Sequence, residues 1–195
     1  MEIWAELQRW IYTREKGRFA RCSYNCLVPF AIRNFKKEDF ETLWKIDQAC
    51  FDSQLAYTRP ELAFYMRRPG SFSLVAEATL ENLAAGNFQN EASVRTKIIG
   101  FIVAETKGFA GHIITLDVVA EARRMGVGSG LMRAAETRLL EAKATTVSLE
   151  TPVNNLAAIR FYKHDGYFVE KTVPGYYSDQ LDALLMVKDL KREAG

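Results

Sequence analysis

The sequence has almost no net charge: 26 lysines and arginines face 24 acids, leaving +2 over 195 residues. A chain so balanced carries no electrostatic footprint for nucleic acid or another polyanion. Long apolar runs are missing as well. Nothing approaches the roughly 20 residues that cross a bilayer, and no secretory apolar segment opens the chain, so no membrane partner is implied. Cysteine is scarce. Cys22, Cys26 and Cys50 are odd in number, with no second closely spaced pair. That pattern argues against a disulfide scaffold and a zinc framework, and for a reduced, cytoplasmic protein without metal. Histidine occurs only at His112 and His164, which narrows the choice of a titrating group.

What is present suits one domain. Hydrophobic residues make up 48% of the chain and charged residues 26%, enough apolar surface for a core. Residues 1–26 stand apart. Ile3, Trp4, Leu7, Trp10 and Ile11 fall on one helical face, and a basic stretch follows. Glu2, Glu6 and Glu15 argue against a transit peptide. The segment reads as a helical extension, packed on the domain, packed on a second subunit as in a homodimer, or of no consequence. The domain proper is taken as 27–195.

Periodicity and turn residues divide the domain. Strands are expected at 27–35, 72–78, 97–105, 112–119, 146–151, 167–173 and 182–188. Helices are expected from Lys36 to Phe51, over 61–68 and 129–143, and from an Asn154 or Asn155 cap to about His164. Residues 80–96 are polar and long for a connection, so mobility is expected there. Pro174–Ser178 reads as the connection between the last two strands.

The chain is organised around Arg123-Arg124-Met125-Gly126-Val127-Gly128-Ser129-Gly130, which lies between the apolar strand and an amphipathic helix. Alternate glycines let the backbone bend and approach a ligand. Unpaired amides at the start of the helix, together with its dipole, suit a phosphate, and the two arginines add charge. A P-loop is excluded because Leu131, instead of Lys, follows Gly130. The third glycine comes one position too early for a dinucleotide fingerprint.

Arg-x-x-Gly-x-Gly resembles the acyl-CoA pyrophosphate loop of the GNAT acetyltransferase superfamily. Downstream, Asn155, Ala158 and Tyr162 followed by Gly166-Tyr167 resemble a segment of the RimI and Nat-type protein N-terminal acetyltransferases. The likeness covers about residues 28–190. It implies an α/β fold with a mixed, twisted sheet, helices on both faces and two central strands that splay apart. It also implies acetyl-CoA as co-substrate, with no metal. The pyrophosphate would lie on Arg123, Arg124, Gly126, Val127, Gly128, Ser129 and Gly130. The pantetheine would run along the exposed backbone of Leu116, Asp117, Val118 and Val119, with Asn155 beside it or capping its helix.

The implied reaction moves an acetyl group from a thioester to a primary amine, most simply the α-amine of a protein N-terminus. Neutralising an α-amine at pH 7 costs about 1–1.4 kcal/mol, against roughly 4.6 for lysine. Tyr162 is the candidate acid for the departing thiolate. Glu150 and His112 are the candidate bases, and the residues leave that choice open. Substrate recognition falls to Phe51, Asp52, Ser53 and Tyr57 on one side and to Tyr176 and Tyr177 on the other. Asp52 stands where the family commonly has proline, and its charge could favour a cationic amine. Two other functions are carried: acetylation of lysine or a small amine such as a polyamine or aminoglycoside, and a non-catalytic acyl-CoA sensor.

Overall fold

The structure is a computed structural model that describes residues 30–52, 55–79, 96–178 and 181–190. The expected helical extension over 1–26, Cys22, Cys26, Ser53 and the polar stretch from 80 to 95 lie outside the described residues. The strands are β1 (Phe30–Asn34), β2 (Ser71–Thr79), β3 (Thr96–Lys107), β4 (Ala110–Val118), β5 (Thr146–Pro152), β6 (Phe168–Ser178) and β7 (Leu181–Asp189). The helices are α1 (Phe40–Cys50), α2 (Arg59–Arg67), α3 (Val127–Glu141) and α4 (Leu156–His164), with 3-10 turns at Lys37–Asp39 and Ala120–Ala122. All seven strands join one sheet in the order β1-β2-β3-β4-β5-β7-β6. Every neighbouring pair is antiparallel except β4 and β5, which are parallel.

Strand alternation supplies a core on each face of the sheet. Leu74, Ala76, Ile102 and Ala104 meet Leu131, Met132, Ala135 and Leu139 of α3. The residues between them, Val75, Phe101 and Val103, meet Leu43 and Ile46 of α1 and Leu62 of α2. Each helix start is set locally. The Asp39 carboxylate accepts the Lys36 N–H at 2.8 Å and is held by Arg33, so a 3-10 turn precedes α1. Before α2, Glu61 accepts the Thr58 N–H at 2.8 Å and Pro60 occupies the first turn, where its missing N–H costs nothing.

Two features position the site. First, β4 and β5 pair only from Ala110–His112 to Thr146–Ser148. Beyond that point β4 stays with β3 as far as Val118, β5 stays with β7 as far as Pro152, and a cleft opens between them. Second, β6 is longer than expected. Pro174–Ser178, read from the sequence as a connection, belongs to the strand. Edge strands tolerate proline, and β6 is an edge. The irregularity is absorbed as a slipped register between Val173 and Ser178, with Gly175 at φ 61° and its N–H donated to Asp182.

Candidate active site

The floor of the cleft is the free side of β4. In an antiparallel pair, alternate residues turn their backbone groups toward the partner strand. The Val119 N–H donates to the Ile99 carbonyl at 3.0 Å, so Val119, and by alternation Asp117, face β3. This corrects the expectation that the whole run from Leu116 to Val119 offers backbone to the cleft: Leu116 and Val118 do so, and Ile114 joins them. Two of these carbonyls already have partners. Ile114 accepts from the Tyr57 hydroxyl at 3.4 Å. Val118 accepts from Arg123 Nε at 3.1 Å and from the Cys50 thiol at 3.4 Å. Arg123 therefore folds back on the end of β4 instead of extending over the glycine turn.

The two candidate bases meet where the strands part. His112 and Ser148 are the last registered pair. Glu150 lies two residues beyond Ser148 and so projects on the same face. His112 Nε2 is 3.3 Å from Glu150, and its Nδ1 is 3.1 Å from Ser148 Oγ. A ring protonated at Nε2 would donate to Glu150 and accept from the serine. The Tyr176 hydroxyl lies against the same carboxylate, and burial, followed by Glu150, pushes it up to about 12. The Tyr176 and Tyr177 rings are 4.9 Å apart, edge to face.

Across the opening, Phe51, Leu55 and Tyr57 line the cleft. Asp52 does not. Its side chain is exposed, and its carbonyl accepts the Leu55 and Ala56 N–H groups, so it builds a turn and puts no charge in the groove. Tyr162, from α4, lines the cleft with Asn155 and Ala158. Its ring packs against Phe161 and Tyr167. Burial, then Asp117 and Asp165, hold its hydroxyl well above the usual range. Asn155 caps α4, accepting the Ala158 N–H at 3.1 Å.

The glycines of the turn divide their work. Gly126 caps α3 at φ 80°, a conformation that favours glycine, and it has no side chain to offer the first-turn amides. The N–H groups of Val127, Gly128 and Ser129 consequently precede the first helical bond, from the Gly130 N–H to the Gly126 carbonyl. A Cβ on Gly128 would lie 3.2 Å from Phe161 and one on Gly130 3.1 Å from Phe30. Both absences serve packing, beyond the expectation that alternate glycines let the backbone bend and approach a ligand. The Val127 side chain is core, and the Ser129 hydroxyl donates to Asp165 at 3.3 Å. Arg124 is exposed with φ 64°.

Residues 40–167 match the acetyltransferase (GNAT) family. The chain belongs to the GNAT acetyltransferases. An uncharacterized N-acetyltransferase of Methanocaldococcus jannaschii is 30% identical over 80% of this chain and 90% of its own length. An N-alpha-acetyltransferase of Sulfurisphaera tokodaii is 32% identical over 51% of this chain and 67% of its own. The crystal structure of Ard1 from Thermoplasma volcanium superimposes with a TM-score of 0.68 at 28% identity, covering 84% of this chain and 99% of that one. No described helix of this acetyltransferase is long and apolar enough to cross a membrane.

Side chains that sequence reasoning passed over also shape this GNAT cleft. Tyr65 of α2 sets its ring 5.1 Å from Tyr57. Asp47 of α1 and Asp117 of β4 are fully buried carboxyls, each with one oxygen lacking a partner. Burial and their mutual repulsion push Asp117 up to about 8, and burial pushes Asp47 up to about 6. An acid placed in each apolar run was the available signal.

Proposed function

We propose that this acetyltransferase moves the acetyl group of acetyl-CoA to the α-amine of a protein or peptide N-terminus that enters past Tyr57, Tyr176 and Tyr177. The observation that carries the reading is the His112–Glu150 contact at the point where β4 and β5 part, in a cleft also lined by Tyr162. The relative named N-alpha-acetyltransferase supports the α-amine as acceptor.

The chain's features fit acetyl-CoA. The glycine-capped start of α3 has no side-chain cap over its first-turn amides, and the free side of β4 offers an extended row of backbone groups. Val127, Gly128 and Ser129 would take the phosphates, and Leu116 and Val118 the pantetheine arm. When bound, acetyl-CoA supplies an acyl group activated as a thioester. Glu150, with His112 beside it, accepts a proton from the incoming ammonium, a step worth about 1–1.4 kcal/mol at pH 7 for an α-amine. A cleft-facing amide of β4 steadies the developing oxyanion. Tyr162 keeps its proton at neutral pH and gives it to the departing sulfur as the C–S bond breaks, and the second proton shed by the attacking nitrogen as it becomes the amide restores the phenol.

The test is a panel of labelled acetyl-CoA reactions with peptides varied at their first residue, N-blocked peptides carrying lysine, and polyamines. Label on the α-amine is expected. Label confined to lysine Nζ or to the small amines would overturn the reading.

A further inference from the structure

Tyr57 lies in the non-helical stretch between α1 and α2, yet both of its backbone groups are held. Its N–H donates to Asp47 Oδ2 at 2.9 Å. Its carbonyl accepts from Trp44 Nε1 at 3.2 Å and from Gln48 Nε2 at 2.8 Å. Residues 44, 47 and 48 are three and four positions apart, so they share one face of α1. The same Gln48 amide reaches Asp47 Oδ2 at 3.1 Å, which links the three side chains into one clamp. From this hold the Tyr57 side chain extends to the cleft, with its hydroxyl on the Ile114 carbonyl and its ring against Tyr65.

Asp47 is an expensive way to fill the core. It is 0% exposed, its Oδ1 has no partner, and its charge opposes ionisation of the buried Asp117 carboxyl. A buried charge left partly unsatisfied costs stability that a similar apolar side chain would not. Departures from local consistency of this kind cluster where function requires them. We propose that Asp47 is a positioning residue: it fixes Tyr57 as the acceptor wall of the cleft and so sets the affinity for the acceptor amine, without touching the reacting atoms. The proposal rests on reading the cleft as the acetyl-transfer site.

Steady-state kinetics on wild type, Asp47→Ala and Asp47→Asn test it, with each substrate varied at saturating levels of the other. Alanine removes the hold on the Tyr57 N–H. It is expected to raise the acceptor KM about tenfold or more, the scale for a lost bond to a charged group, while the KM for acetyl-CoA stays within about twofold. Asparagine keeps an oxygen for the Tyr57 N–H, so it is expected to restore the acceptor KM. A purely structural role would move both KM values together, or kcat alone, in the alanine variant. Either result, or an unchanged acceptor KM, overturns the proposal. Should the alanine variant not fold, amide exchange in the wild type decides: the Tyr57 N–H is expected to exchange at least about tenfold more slowly than an open amide, and an open-chain rate refutes the clamp. Failure of the α-amine reading would show separately, as a wild type that labels a different amine, and the KM comparison is then made on that amine.

Discussion

Tyr162 keeps its proton throughout the neutral range, because burial disfavours the phenolate and Asp117 and Asp165 oppose another negative charge nearby. Removing only its hydroxyl is therefore a clean test. Tyr162→Phe is expected to lower turnover by about 10²-fold or more, the usual yield of a positioned acid, with acetyl-CoA affinity by calorimetry unchanged. Full turnover would remove Tyr162 from the chemistry. Glu150→Gln keeps a neutral side chain of the same shape beside Tyr176 and His112 but cannot accept a proton. Its deficit in kcat/KM is expected to be large at pH 7, about 10²-fold, and smaller at pH 9, where an α-amine with a pKa of about 7.7–8.0 is already neutral. A deficit independent of pH would point to geometry instead. At this scale the sequence was informative wherever position follows chain spacing: Asn155 caps the helix that carries Ala158 and Tyr162, and Glu150 lies two residues from the end of the strand before it. It was silent on Asp47 and Tyr65, whose meaning depends on Tyr57 arriving from a different part of the chain. It misread Asp52, because a charge within a loop does not reveal which way the loop turns it.

Among the elements, the glycine turn was visible in the letters, but the purpose of each glycine was not. Gly126 needs its left-handed backbone. Gly128 needs to be small because α4 brings Phe161 within 3.2 Å of where a Cβ would stand. Gly128→Val should accordingly act first on packing: a loss of about 1–3 kcal/mol in stability, read by chemical denaturation, together with weaker acetyl-CoA binding as the start of α3 is pushed away from α4. Weaker binding with unchanged stability would restore the simpler view that valine merely crowds a phosphate. The strands were legible from their alternation and their turns. β6 was cut short because Pro174 and Gly175 read as punctuation; only the sheet order, which places β6 at an edge, explains why the strand survives them.

For the molecule as a whole, Asp47 and Asp117 predict how stability should follow pH. Both carboxyls hold protons more tightly folded than unfolded, where the value is near 3.8. The folded chain thus carries the extra protons between those values. Stability should fall as pH rises from about 4 to about 8, with the Asp47 part spent by about 6 and the Asp117 part by about 8. Thermal melts at pH 5 and pH 8 check this, and Asp117→Asn should shrink the difference. An equal difference in that variant would assign the effect to other groups. The same scale gives meaning to the early parting of β4 from β5. Most sheets expose raw edges at their rims; this one carries a split along its middle, with β1–β4 on one side and β5–β7 on the other. The closed end is riveted by Glu136 of α3, which takes Tyr167 at 3.0 Å and Lys188 at 2.7 Å across the divide. Toward the start of α3 the Ser129 hydroxyl reaches Asp165 of the other side at 3.3 Å, a longer bond. The two slabs are thus built like the arms of a clothes-peg, and a thioester donor lying in the split would act as the wedge that sets their spacing, which makes protection from proteases on adding the donor the simplest sign that both arms have seated.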